Sequence, residues 1–162
     1  MSRTLAEEEV SRHNITATQP LTEQEIRTFV RGWYDALDLH VPLEDAYHLV
    51  SDQDLKMQYP DGDIRDFAGF KKWYDLITNL YFDENHYVQS VMINLKGTEA
   101  DLEVVVGWQA SWFPAPAPKS KRTSLNAYQK WKVRRSTRNR YGVEIVECVV
   151  DRFEYAPGFA QL

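Results

Sequence analysis

A chain of 162 residues, 43% hydrophobic and 13% aromatic, is long enough for one domain with a substantial core. Its 24 acidic against 19 basic side chains leave a net charge of −5, which excludes a general nucleic-acid binder. A single cysteine, Cys148, excludes an intrachain disulfide, and no apolar run approaches the ~18 residues of a membrane span, so a soluble, cytoplasmic protein is expected, with no signal peptide.

Residues 1–20 are polar and aperiodic, and read as a flexible arm with a helical turn around 6–10. Thr22 followed by Glu25 is a capping box. Behind it Ile26, Phe29, Val30, Trp33 and Leu37 recur at helical spacing, which predicts an amphipathic helix over 23–39. Tyr34 flanks that stripe, and Asp35 lies roughly opposite. Pro42 opens a short second helix to about residue 50. Leu55, Met57 and Tyr59 alternate as a short strand, ended by the turn chemistry of Pro60, Asp61, Gly62 and Asp63. Asp63 or Asp66 caps a third helix over about 67–82, with Phe70, Trp73, Tyr74 and Ile77 on its apolar face.

The remainder reads as β. A strand over 86–95 turns through Gly97 into the apolar stretch 101–113, a strand near the centre of a sheet. Leu102, Val104, Val106 and Trp108 face its core side, with Glu103, Val105, Gln109 and Phe113 on the other. Gly107 in mid-strand suggests a bulge, a bend or a close approach of backbone. The PAPAP run at 114–118 is a stiff connector, 123–135 is the next strand, and 141–153 the last, leaving a tail over 156–162. Helices first and hairpins last predict an α+β fold. It is a cone-shaped roll with three helices packed on a curved, mainly antiparallel sheet. The segment 119–140 carries nine basic side chains and no acidic one, either a solvated hairpin or an anion-seeking surface.

The Tyr34–Asp35 pair late in the first helix, the strand end from Met57 to Gly62, the helix start DFAGFKKWY, His86 opening a strand and the four-strand finish resemble the nuclear transport factor 2-like superfamily. Within it they are most similar to the SnoaL-like proteins. The resemblance spans roughly residues 22–155, and 21–155 is expected as the domain. It implies a small-molecule pocket between sheet and helices, and a homodimer through the sheet face. Where ketosteroid isomerases of this fold carry an aspartate base, this chain has Tyr59. The scytalone dehydratases resemble it more, in Tyr34, Asp35, Tyr59 and His86.

Two functional classes follow. In the first, the chain is a cofactor-independent lyase, dehydratase-like, or an isomerase, acting on a small apolar cyclic or polyketide-like molecule. His86 is then the acid/base, Tyr34 and Tyr59 polarise a substrate oxygen, and Asp35 is a helper. Trp108, Trp73, Met57 and Trp131 form the substrate-binding wall. In the second, the chain is a non-catalytic ligand-binding or dimerisation module. No glycine-rich phosphate loop, HExxH or CxxC is present, so neither cofactor nor metal is expected.

Overall fold

The computed structural model describes residues 15–60, 62–116 and 118–162. The turn expected at 6–10 lies outside them. Helix α1 (Glu23–Asp38) begins as its sequence dictates. The Glu25 N–H donates to the Thr22 hydroxyl, and the Thr22 N–H donates back to the Glu25 carboxylate. Helices α2 (Leu43–Tyr47) and α3 (Phe67–Leu80) follow, the latter capped by Asp66, which accepts from the Gly69 N–H at 2.8 Å. Between them lie strands β1 (Lys56–Tyr59) and β2 (Gly62–Ile64); then come β3 (Phe82–Lys96), β4 (Glu99–Trp112), β5 (Lys121–Arg135) and β6 (Val143–Tyr155).

The six strands form one sheet in the order β2-β1-β6-β5-β4-β3. The four long strands run as an antiparallel meander, and β1 joins parallel to β6. The fold is therefore α+β as expected, with β4 internal. Strand β1, expected to end in a turn with no partner strand after it, pairs antiparallel with β2: Met57 with Ile64 and Tyr59 with Gly62. Strand β3 starts at Phe82, four residues before the expected His86. The β4–β5 register runs unbroken, whereas β3 shifts against β4 near Gln89, and β6 carries extra residues near Val146 and Asp151. Bulges on the strands flanking β4–β5 bend the sheet toward the helices. At Gly107 the close neighbour is a side chain: the Tyr87 ring lies 2.3 Å from where a Cβ would stand.

The apolar stripe of α1 packs on the concave face. Ile26, Phe29 and Val30 are fully buried, as are Met57, Val104, Val133 and Ile145, and each such side chain contributes roughly 2 kcal/mol by leaving water. A buried cation fastens the helix to the sheet. Arg135, at the end of β5, donates to both carboxylate oxygens of Glu25 (2.7 and 3.0 Å) and to the carbonyls of Gln19, Pro20 and Gly142.

Other arginines of the basic segment are also engaged within the chain. Arg134 bridges Asp54 and Glu144, Arg138 donates to the Val50 carbonyl, and Arg122 donates to Ser111 and Gln109. Lys130 and Lys132 stand on the outer sheet face, paired in register with Glu103 and Asp101.

Candidate functional site

Between α1, α3 and the concave face of the sheet lies a cavity of about 400 Å³. Its walls are mainly apolar and aromatic. Trp33 stacks on Trp73 (ring centroids 6.3 Å apart), and Tyr59 stacks on the same indole (5.4 Å). The His86 imidazole stacks against two rings, Tyr34 at 4.9 Å and Trp108 at 6.1 Å, tilted from it by 28° and 25°.

Two local devices bring a carboxylate to that imidazole. Helix α1 ends in a Schellman turn: the Val41 N–H donates to the Ala36 carbonyl, the His40 N–H to the Leu37 carbonyl, and His40 takes the left-handed conformation at φ 49°. This places Asp38 in the last helical turn, beside the start of β3. One Asp38 oxygen accepts from the His86 backbone N–H at 2.9 Å; the other faces His86 Nδ1 at 2.7 Å. An ionised carboxylate can only accept, so Nδ1 carries a proton in this contact, and in the neutral ring Nε2 then keeps its lone pair. The imidazole side chain is 10% exposed and borders the cavity, and Nε2 has no hydrogen-bond partner among the described residues.

A second carboxylate stands beside this pair. The Glu84 side chain is 4% exposed. Its Oε2 accepts from the Trp108 indole N–H at 2.8 Å, and its Oε1 faces His40 Nε2 at 3.3 Å. Ligand atoms of Asp38, Glu84 and His86 lie within 4.8 Å of one another, the spacing of a cation site. All four carboxylate oxygens already face nitrogen groups.

Deeper in, Gln129 joins the site to the core. Its amide donates to the Tyr34 hydroxyl at 2.9 Å, and its carbonyl oxygen accepts from the Trp131 indole at 3.0 Å and faces Cys148 Sγ at 3.2 Å. Burial holds the Tyr34 hydroxyl well above its ordinary range, so it stays a neutral donor. Burial likewise pushes the Cys148 thiol up to about 12, against the opposing effect of hydrogen bonds from Tyr59 and Trp131.

Of the residues named from sequence, His86, Tyr34, Tyr59, Trp73 and Trp108 border this one cavity. Three do not. Met57 is wholly buried in the core, and Trp131 lies behind the wall, reaching the site through Gln129. Asp35 is exposed on the far face of α1. It gives way to Asp38, because three residues turn a helix by nearly a full revolution less about sixty degrees, enough to move from solvent to site. Asp38, Glu84 and Gln129 escaped the sequence reading. Gln129 left a signal, as the one polar member of the inward column Leu125, Ala127, Trp131 and Val133.

No protein-family profile and no curated protein matches the sequence. Solved structures do match its fold. A provisionally assigned scytalone dehydratase from Novosphingobium aromaticivorans superposes with a TM-score of 0.64 at 14% identity, over 85% of this chain and 94% of that one. The type-3 hexachlorocyclohexane dehydrochlorinase of Novosphingobium barchaimii gives 0.65 at 10% identity, over 86% and 92%. A nuclear transport factor 2-like superfamily protein from Salmonella enterica gives 0.59 at 15% identity, over 85% and 96%. The chain has the nuclear transport factor 2-like fold.

Proposed function

Taking that fold and its aromatic cavity as the premise, we propose that the chain is a cofactor-independent lyase acting on a small, largely apolar cyclic molecule. His86 is its base. The observation that carries the reading is the 2.7 Å contact of Asp38 with His86 Nδ1, made while the same ring borders an apolar cavity. That contact fixes the tautomer whose Nε2 can accept a proton, and the carboxylate then stabilises the imidazolium. Tyr34 and Trp108, stacked against the ring, add the attraction of their π-faces for the cation.

In the proposed step Nε2 takes a proton from a substrate carbon. The electrons of the C–H bond form a C=C bond, and the group on the neighbouring carbon departs with its bonding pair. Tyr34 polarises a substrate oxygen, and Tyr59, Trp73 and Trp108 hold the ring. In an isomerase no group departs, and the proton returns to another carbon of the same molecule. The dehydratase and dehydrochlorinase among the structural neighbours are named for eliminations of this kind, which supports the class and leaves the substrate open.

The test is a screen of cyclic β-hydroxy ketones and halogenated rings for elimination, by absorbance or mass. His86→Ala is expected to keep its fold by circular dichroism while losing at least about 100-fold in turnover. Ligand binding without turnover in the parent chain would instead leave a non-catalytic binding module.

Assembly is a second proposal, carried by the outer sheet face. Met92 is 65% exposed and Tyr87 48% exposed, and they share that face with Val105 and Tyr128. A homodimer through the sheet covers them. Sedimentation is expected to give twice the 19.0 kDa of one chain, and Met92→Glu to shift the mass toward the monomer; a monomeric parent refutes the proposal.

A further inference from the structure

We infer that the ligand of this cavity carries a positively charged amine beside its apolar body, and that the ammonium group sits against Glu84. The inference rests on the cavity being a ligand site, and adds the charge of what it holds.

A carboxylate with 4% side-chain exposure is costly unless it is ionised and met by donors, or neutral. Glu84 is met by donors. The Trp108 indole N–H, which cannot accept, points at one oxygen, and a ring nitrogen of His40 faces the other. The indole can only donate, and His40 does likewise when its Nε2 carries a proton. Each carboxylate oxygen accepts two hydrogen bonds, so one contact apiece leaves acceptor capacity on a side chain that borders the cavity.

The charges around the site do not balance. Asp38 and Glu84 bring two negative charges within 4.8 Å of the same imidazole. No lysine or arginine borders the cavity among the described residues. His40 can offset one carboxylate when protonated, from a position that is 30% exposed. His86 must be neutral to act as a base. The cavity therefore holds surplus negative charge within low-dielectric walls, where an electrostatic attraction is stronger than in water. Those walls suit a cation for a second reason. Trp108, Tyr81 and Trp73 border the space, with the edge of one of the first two rings against the face of the other (5.0 Å). Aromatic faces attract ammonium groups, more strongly when water is excluded. Tyr74 also feels the carboxylate: burial first, and then the Glu84 charge, push its hydroxyl up to about 12.

The experiment compares two probes of nearly equal shape, benzyltrimethylammonium and its uncharged carbon analogue neopentylbenzene. Binding to the full chain is followed by calorimetry and by tryptophan fluorescence. The cation is expected to bind about tenfold tighter or better, a factor of ten being about 1.4 kcal/mol, and the preference is expected to vanish in Glu84→Gln. Equal affinities, or a preference for the uncharged probe, overturn the charge assignment while leaving the cavity a ligand site. Binding of neither probe overturns it together with the ligand-site reading. A preference that survives in a folded Glu84→Gln chain overturns the role of Glu84. Should that variant not fold, nuclear Overhauser contacts in the parent chain decide: methylammonium protons near Trp108 and Tyr81 support the placement, and contacts confined to other surfaces refute it.

Discussion

Asp38 occupies the end of a helix at which a carboxylate is least welcome, since the carbonyl dipoles there already present negative charge. Its two bonds to His86 offset that disadvantage, and they fix one imidazole tautomer. Long-range nitrogen–proton spectra of the ring are expected to show a single Nδ1–H form in the parent chain. In Asp38→Asn the amide can turn its own N–H toward Nδ1, so the Nε2–H form should appear and turnover should fall by roughly the 100-fold or more assigned to the base. An unchanged tautomer would mean that Asp38 merely ties β3 to α1. His86 is legible in the sequence because histidine is the side chain suited to proton transfer near neutral pH, and because the family resemblance implies a histidine at that strand start. The sequence reading passed over Asp38 and Glu84 because a carboxylate at a helix end, or in the run Asp83, Glu84, Asn85, looks like solvent-facing polarity. Only the Schellman turn and the early start of β3 bring them inward.

At the level of elements, the join of α1 to β5 carries a stability prediction. The Arg135 side chain is 2% exposed and satisfies Glu25 and three carbonyls. Arg135→Ala leaves those acceptors without their donor, and a loss of about 3 kcal/mol is expected in urea unfolding. Burial raises the Glu25 carboxyl, but the hydrogen bonds from Arg135 and Thr22 and the Arg135 charge outweigh it and hold the group below its ordinary range. A depressed carboxyl stabilises the fold fully above the unfolded value of 4.5, and that contribution is lost as pH falls through the lower folded value. The stability gap between the parent chain and Glu25→Gln should therefore be widest at neutral pH and close in acid; a gap independent of pH would refute the linkage. These helices and long strands were legible because periods of 3.6 and 2 are written into their apolar residues. Strand β2 was not, since Gly62, Asp63 and Ile64 are too short a run to show a period.

For the whole molecule, periodicity could give the meander but not the partner of β1. Lys56 pairs with Glu147 and Met57 with Cys148, neighbours that no local pattern links. The cavity depends on that distant pairing, because Tyr59 stands at the end of β1 while Gln129 and His86 come from the meander. During synthesis the residues of α1 leave the ribosome well before β6, the strand that β1 must join. The apolar face of α1 then waits uncovered, with Arg135 and the last strands still to come. Non-local pairing of this kind slows folding and prolongs exposure to aggregation and to chaperones. Nascent chains stalled before Val143 should remain protease-sensitive, and those released past Tyr155 should become resistant in one step. Resistance gained before β6 emerges would show that the helices and the first three meander strands close on their own. The same parallel seam that completes the cavity thus sets the moment in the life of each chain when that cavity first closes.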